Sequence, residues 1–158
     1  MPTLPSFADL LHPDRIVLRD RAGDKREHLR RGAARLATSD AVLDRDRLAA
    51  DLEGREARQS TGVGEGVALP HTRTPAVVRT VATLATLAEP ADWNALDGVP
   101  VDLVVTFAGP ENEPGRHVRL LAQVSRVLSA PGVRAQLAQA ATPVAALDAL
   151  RDAEQRAR

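Results

Sequence analysis

The chain of 158 residues contains no cysteine and no tyrosine, and its aromatic residues are two phenylalanines and one tryptophan. Without cysteine it forms no disulfide, offers no thiolate to a metal and has no cysteine nucleophile. Proteins that bind single-stranded nucleic acid commonly stack its bases on aromatic side chains, and so few rings give no support for such a surface. We therefore expect a core packed from alanine, leucine and valine.

Net charge is also missing, because 21 basic residues balance 21 acidic ones. This balance gives no electrostatic reason to bind nucleic acid or an anionic membrane. No apolar run approaches the roughly 20 residues that a membrane-spanning helix needs. The first residues lack the basic region and apolar core of a signal peptide. We expect a soluble, cytoplasmic protein that is not inserted in a membrane and binds no nucleic acid.

The length and the apolar pattern predict one domain over residues 1–158, with a lead-in at 1–14 and a charged tail at 153–158. The order of elements is read as strand, two helices, three strands and three helices. Hairpin-spaced strand pairs are absent, and helices both precede and follow the central strands. This order favours an α/β fold with helices on both faces of a sheet.

Capping residues mark several helix starts. Asp24, with Glu27 three positions later, fits a capping box, Asp44 is placed to cap a helix that ends near Arg58, and Thr142 is placed to cap the last helix. A further helix is predicted for residues 116–128, which carry one apolar face. Strands are predicted at residues 16–18, 67–69, 77–87 and 101–108, with a polar turn at 72–75.

The most unusual stretch is residues 59–72, which holds three glycines in five positions, then a short apolar run, a proline and His71. Glycines at this spacing indicate a tight, closely packed connection. The apolar run that follows is typical of a buried strand. A histidine at the end of a buried strand is held by a rigid scaffold and still reachable from solvent, so His71 is the leading candidate for a reactive group.

Two other residues are conspicuous by their position. Arg55 occupies the core-facing stripe of Leu48 and Leu52, one turn before the glycine-rich stretch. Such an arginine either extends to the surface over its buried stem or reaches an anion. His117 lies on the apolar face of the helix at 116–128, in the first turn, where helix N-termini favour an anion.

Other kinds of site find little support. His12 and His28 are interpreted as ordinary surface residues, and no histidine spacing matches a zinc site. The glycine-rich stretch lacks the Gly-Lys-Ser/Thr ending of a P-loop and leads into a strand. No Gly-x-Ser-x-Gly elbow of a hydrolase is present. No cofactor or metal is expected.

The remaining set, His71, His117 and Arg55, suits phosphoryl transfer. Neutral imidazole is a nucleophile at physiological pH because its ordinary pKa is about 6.5. The reaction needs in-line positioning and positive charge around the phosphoryl oxygens, which a guanidinium and a second imidazole supply. The alternative is that the two histidines are separate structural residues and that Arg55 only extends to solvent.

The stretch Ser-Thr-Gly-Val-Gly-Glu-Gly-Val-Ala-Leu-Pro-His at residues 60–71, preceded by Arg-Glu at 55–56, closely resembles the signature of the type-2 EIIA domains of the phosphoenolpyruvate-dependent phosphotransferase system (PTS). This fructose/mannitol-type group includes the nitrogen-regulatory EIIA proteins. Residues 97–104, beginning Asp-Gly-Val-Pro-Val, and residues 117–128 of the predicted helix also resemble the family. The resemblance covers residues 7 to 152.

The resemblance implies a three-layer α/β/α fold with a small mixed sheet. It implies that His71 accepts a phosphoryl group from an HPr-type carrier and passes it to an EIIB domain for sugar uptake, which makes the protein a phosphotransferase. His117 and Arg55 would assist at the phosphorylated histidine. The alternative is a nitrogen-related regulator that binds partner proteins according to its phosphorylation state. Thr72, where the family usually has glycine or alanine, is the main departure.

Overall fold

Strand β6, Val101–Pro110, is the centre of a six-stranded mixed sheet in the computed structural model, which describes residues 5–21 and 23–157. It pairs antiparallel with β5 on one side and parallel with β3 and β4 on the other. The sheet runs β1-β5-β6-β3-β2, with β4 also on β6. The other strands are β1 Ile16–Asp20, β2 Gly62–Gly64, β3 Val67–Ala68, β4 His71–Thr74 and β5 Val81–Ala91.

Five helices accompany the sheet: α1 Lys25–Leu36, α2 Arg45–Arg58, α3 Pro114–Leu128, α4 Val133–Gln139 and α5 Pro143–Arg156. The predicted caps are confirmed, since the side chains of Asp24, Asp44 and Thr142 accept hydrogen bonds from backbone N–H groups in the first turns of α1, α2 and α5. Replacing such a cap by alanine typically costs about 1 kcal/mol. Local sequence signals therefore determine where these three helices begin.

Alternate residues of β6 face separate clusters of buried apolar side chains, as the period-two geometry of a strand requires. Leu103, Val105 and Phe107 pack with residues from α3, α4 and α5. On the other face, Val104 packs in a cluster with a residue of α1, and Ala108 in one with residues of α1 and α2. The predicted α/β fold with a mixed sheet is confirmed.

The predicted number of strands is wrong, because five strands rather than three lie between α2 and α3. The expected turn at residues 72–75 lies mostly in β4, whose residues Thr72 and Arg73 pair with Ala108 and Gly109 of β6. The strand predicted at 77–87 begins instead at Val81 and continues past Pro90. The pairing of β5 with β6 shifts register between Thr86 and Ala91. Pro90 lies in this irregular segment, and such irregularities are where a sheet tolerates proline.

The predicted charged tail at residues 153–158 is also corrected. Helix α5 continues to Arg156 and buries Ala153 and Glu154; Arg158 lies outside the described residues. Glu154 accepts hydrogen bonds from the backbone N–H groups of Phe7 at 3.0 Å and Ala8 at 2.6 Å. This carboxylate therefore links the lead-in to α5 by hydrogen bonds. Within the lead-in, Phe7 and Leu11 are buried and Leu10 packs against the core in part.

In the part of the chain that the structure describes, none of the helices combines the length and the apolar character needed to traverse a bilayer.

Candidate functional site

The glycine-rich stretch forms a tight hairpin of β2 and β3. Its two connecting residues, Glu65 and Gly66, both have positive φ, 57° and 84°. Positive φ at both positions is typical of the type I′ turn, which matches the twist of two-residue hairpins. The carboxylate of Asp97 accepts a hydrogen bond from the N–H of Glu65 at 2.8 Å. The glycines thus serve the backbone path that leads through Leu69 to the candidate nucleophile.

His71 is the first residue of β4 and is half-buried. Its Nδ1 lies 2.6 Å from the carbonyl oxygen of Leu69. Because a carbonyl oxygen only accepts, Nδ1 carries the proton of the neutral ring and Nε2 keeps a lone pair. Burial lowers the pKa of His71, and the charge of Arg55 lowers it further, while the bond to Leu69 and the charge of Glu56 oppose these effects. The ring is therefore neutral at physiological pH.

His117 lies in the first turn of α3, and its ring faces that of His71. Their ring centroids are 5.3 Å apart, with planes tilted by 48°. His117 is 8% exposed, and neither of its ring nitrogens has a hydrogen-bond partner among residues 5–21 and 23–157. Burial lowers its pKa to about 4, with smaller contributions from His71 and Arg73. A buried, unpaired imidazole next to another one is costly in a purely structural role.

Phe107 of β6 completes a cluster of three rings. It stacks on His71 with centroids 5.4 Å apart and planes 17° apart, and it lies 5.2 Å from His117. Since His71 pairs with Phe107 across the parallel ladder, both side chains stand on the same face of the sheet. Gly109 lies two positions after Phe107 on β6. Its lack of a side chain makes room for His117, because a Cβ at this position would lie only 3.3 Å from His117 Nδ1.

Arg55 is half-buried near the end of α2, after the buried Leu48 and Leu52. One of its guanidinium nitrogens donates to the carbonyl oxygen of Gln59 at 2.9 Å, and its charge contributes to the lowered pKa of His71. The side chain is therefore close enough to act electrostatically on the His71 ring. Its other N–H groups remain available as donors, because a guanidinium has five.

Arg73 is a fourth candidate that the sequence analysis missed. It follows His71 by two residues in β4 and therefore stands on the same face of the strand. Its neighbour across the ladder is Gly109, against which His117 packs, and its charge contributes to the lowered pKa of His117. Period-two alternation would have identified Arg73, had residues 71–74 been recognised as a strand.

The two remaining histidines differ from one another. His12 is exposed, and its Nδ1 accepts from the N–H of Asp14 at 3.1 Å, so the surface interpretation is confirmed. For His28 it is wrong. His28 is 3% exposed, and its Nδ1 lies 3.8 Å from the Asp20 carboxylate. Arg31 and Arg35 bind that carboxylate, at 3.0 Å and 2.9 Å, so His28 is a buried residue beside an ion-pair cluster.

One protein family matches residues 9–153 of the chain: "Phosphoenolpyruvate-dependent sugar phosphotransferase system, EIIA 2". The chain is 33% identical over 133 residues to a nitrogen regulatory protein of Pseudomonas aeruginosa, a similarity that covers 84% of this chain and 86% of that protein. It is 36% identical over 149 residues to the PTS system 2-O-alpha-mannosyl-D-glycerate-specific EIIABC component of Escherichia coli. This second similarity covers 93% of the chain but only 23% of that larger protein.

Solved structures agree with these relatives. The nitrogen regulatory protein IIA-Ntr from Neisseria meningitidis superposes with a TM-score of 0.83 at 28% identity, covering 90% of this chain and 97% of the other. The fold also matches a chain in the complex of enzyme IIA-mannitol and phosphorylated enzyme IIB-mannitol from Escherichia coli, with a TM-score of 0.76 at 21% identity over 90% and 97% of the two chains. The chain therefore belongs to the EIIA type-2 family of the phosphoenolpyruvate-dependent sugar phosphotransferase system.

Proposed function

We propose that His71 is a phosphoryl carrier residue, which accepts the group on Nε2 from the phosphohistidine of an HPr-type protein and passes it to an EIIB domain for sugar uptake. The observation that carries the proposal is the 2.6 Å contact between His71 Nδ1 and the carbonyl oxygen of Leu69. This contact leaves the lone pair on Nε2. EIIA domains are phosphotransfer carriers, and a neutral imidazole held in one tautomer is the nucleophile such a carrier requires.

The transfer exchanges one phosphorus–nitrogen bond for another. The Nε2 lone pair of His71 attacks phosphorus, the bond from phosphorus to the donor imidazole breaks, and its electron pair returns to the donor nitrogen. Nδ1 keeps its proton throughout. The hydrogen bond from Nδ1 to Leu69 then stabilises the positive charge that the ring gains when Nε2 is phosphorylated.

Hydrogen-bond donors and positive charge for the phosphoryl oxygens would come from the residues that surround His71, the charge from the arginines and a hydrogen bond from the neutral His117 ring. Arg55 offers guanidinium N–H groups, and His117 presents ring nitrogens that have no partner among the described residues. Arg73 adds a second guanidinium on the same face of β4. Phosphoryl transfer requires mainly that the nucleophile and the phosphoryl group are held in line and that positive charge lies near the phosphoryl oxygens.

A second function is favoured by the likeness to nitrogen regulatory proteins. The relative in Pseudomonas aeruginosa is matched over 86% of its length, and the Neisseria meningitidis IIA-Ntr structure superposes with a TM-score of 0.83. In this alternative the phosphorylation of His71 determines which regulated protein binds. Both functions use the same chemistry at His71, and both place the protein with its HPr-type donor in the cytoplasm.

Phosphorylation of His71 is tested by incubating the protein with phosphoenolpyruvate, enzyme I and HPr, followed by intact mass measurement. We expect the gain of one acid-labile phosphoryl group, absent in His71→Ala and present in His12→Ala. Wild-type protein that stays unlabelled, while a known EIIA domain is labelled in the same tube, would refute the proposal.

The acceptor distinguishes the two functions. Purified phosphoprotein mixed with a fructose- or mannitol-type EIIB domain should lose its group to EIIB on a timescale of seconds if the chain serves sugar transport. Retention of the group in this mixture, with affinity for another protein that differs between the phosphorylated and unphosphorylated forms, would favour the regulatory function.

A further inference from the structure

Glu56 is a buried carboxylate to which the proposed phosphoryl transfer assigns no role. It follows Arg55 on α2 and is 6% exposed. Its Oε1 accepts from the backbone N–H of Thr61 at 3.0 Å and from Lys25 Nζ at 2.7 Å, and its Oε2 accepts from the hydroxyl of Thr61. Because Thr61 is buried, losing the carboxylate would leave its backbone N–H without an acceptor, so the carboxylate holds Thr61 in place.

Trp93 and Lys25 complete the support of Thr61. The fully buried indole of Trp93 donates from Nε1 to the Thr61 hydroxyl oxygen at 3.2 Å. The carbonyl oxygen of Trp93 accepts from the hydroxyl of Ser60 at 2.6 Å and from Lys25 Nζ at 3.2 Å. Lys25 is the single lysine of the chain, and both of its partners belong to this network.

Two further hydrogen bonds lead from Thr61 to the candidate nucleophile. The carbonyl oxygen of Thr61 accepts from the N–H of Leu69 at 2.9 Å. The carbonyl oxygen of Leu69 in turn contacts Nδ1 of His71 at 2.6 Å. The position of the acceptor that selects the His71 tautomer is thus tied, through Leu69 and Thr61, to the Glu56 carboxylate.

We propose that Glu56 is a positioning residue for phosphoryl transfer: by holding Thr61 it fixes the Leu69 carbonyl, which keeps Nδ1 of His71 protonated and Nε2 aimed at the donor. This inference rests on the proposed function of His71. Arg55 and Glu56, which are neighbours on α2, then act on His71 in different ways: Arg55 through its charge, and Glu56 through the backbone of the glycine-rich stretch in addition to its charge.

The competing interpretation is that Glu56 only stabilises the fold, and the chain contains a matched control for it. Glu154 is also 6% exposed and also binds backbone N–H groups, in its case two, those of Phe7 and Ala8. It belongs to the junction of the lead-in with α5. Glu154→Gln should therefore reproduce the loss of stability caused by Glu56→Gln without touching the path to His71.

The experiment compares wild type, Glu56→Gln, Glu56→Ala and Glu154→Gln in transfer from phospho-HPr, with kcat and KM measured separately. The nitrogen chemical shifts of the His71 ring report its tautomer without any phosphoryl donor. For both Glu56 variants we expect kcat to fall at least about tenfold, since small misplacements of a reacting group have effects of this size. KM for phospho-HPr should stay within about twofold, because the donor still meets the same surface. The ring shifts should move toward a mixture of tautomers.

Two conservative variants keep the test decisive if Glu56→Ala fails to fold. Thr61→Val preserves the shape but removes the hydroxyl between Glu56 and Trp93, whereas Thr61→Ser restores it. We expect slow transfer in the first and near wild-type transfer in the second. Wild-type kcat and a single ring tautomer in Glu56→Gln or in Thr61→Val would overturn the inference, as would an equal loss of kcat in Glu154→Gln. Failure of wild type to accept phosphate would instead count against the proposed function.

Discussion

His71 and His117, which belong to different elements of the fold, face each other with ring centroids 5.3 Å apart. Strand β4 and the first turn of α3 bring them together over Phe107, and burial lowers the pKa of both. Protonation of one ring disfavours protonation of the other, because like charges at this distance repel. The pair therefore stays neutral where an isolated imidazole would begin to charge.

The low pKa of His117 makes stability depend on pH. Its pKa falls from 6.5 to about 4 on folding, so in this interval the unfolded chain binds a proton that the native protein does not. The stabilising contribution is complete above about pH 6.5 and is lost as pH falls toward about 4. It amounts to at most about 3 kcal/mol, at 1.36 kcal/mol per pKa unit.

Urea unfolding at a series of pH values, with wild type and His117→Gln side by side, measures this contribution. Between about pH 7 and about pH 4 the wild-type free energy of unfolding should fall by about 2–3 kcal/mol more than that of the variant. Protonation of carboxylates affects both proteins and cancels in the difference. Parallel curves would mean that His117 titrates normally in the folded protein.

The pH dependence of transfer follows from the same chemistry at His71. Because its pKa is lowered by burial, the neutral nucleophile persists below the ordinary imidazole pKa of about 6.5. We expect the rate of phosphorylation by phospho-HPr at saturating donor to be level in the neutral range and to fall at lower pH, with a midpoint below the ordinary imidazole pKa. A midpoint at or above about pH 7 would contradict the lowered pKa.

Gly109 tests whether the close approach of His117 to β6 matters. An alanine Cβ at this position would lie 3.1 Å from Thr80 Oγ1 and 3.3 Å from His117 Nδ1, so the imidazole must shift. Such overpacking costs about 1–3 kcal/mol, and displacement of the ring should slow transfer by about tenfold.

Gly115→Ala is the matched control, because a Cβ there meets no atom within 4 Å and the residue lies in the same first turn of α3. It should leave transfer unchanged and stability equal or slightly higher. The measurement compares the melting temperatures and transfer rates of Gly109→Ala and Gly115→Ala with those of wild type. Equal behaviour of the two variants would show that the position of His117 does not depend on Gly109.

The parts of this molecule that could be predicted from sequence are those encoded by neighbouring residues. Asp24, Asp44 and Thr142 mark helix starts because a cap bonds N–H groups a few positions away. His71 was selected by the glycine and proline pattern that precedes it, and His117 by its place in an amphipathic helix. None of these inferences needed knowledge of distant contacts.

The parts that failed depend on partners far along the chain. β4 has no apolar alternation and exists because it pairs with β6, whose Phe107 lies opposite His71. Without that pairing, Arg73 could not be placed beside the site. The burial of His28 likewise follows from a contact with Asp20 of β1. The sequence places Glu154 in a charged tail because its partners, Phe7 and Ala8, are at the other end of the chain.

Arg73 offers the last test, because its contribution to the site is visible only in the structure. Its side chain shares a face of β4 with His71 and donates to the carbonyl oxygen of Glu111 at 3.3 Å. Its positive charge lowers the pKa of His117. Arg73→Gln should therefore raise the pKa of His117, observed by NMR titration of the ring, and slow transfer from phospho-HPr by roughly tenfold, or about 1.4 kcal/mol of transition-state stabilisation.

Arg30→Gln is a suitable control for Arg73→Gln. Arg30 is exposed on α1, which packs on the opposite face of the sheet, and it pairs with Glu53 at 3.5 Å. Removing this charge should leave both the His117 titration and the transfer rate as in wild type, because an exposed ion pair far from the site contributes little. If Arg73→Gln matched Arg30→Gln in both measurements, the charge of Arg73 would have no part in the site, and the positive charge around the phosphoryl group would come from Arg55.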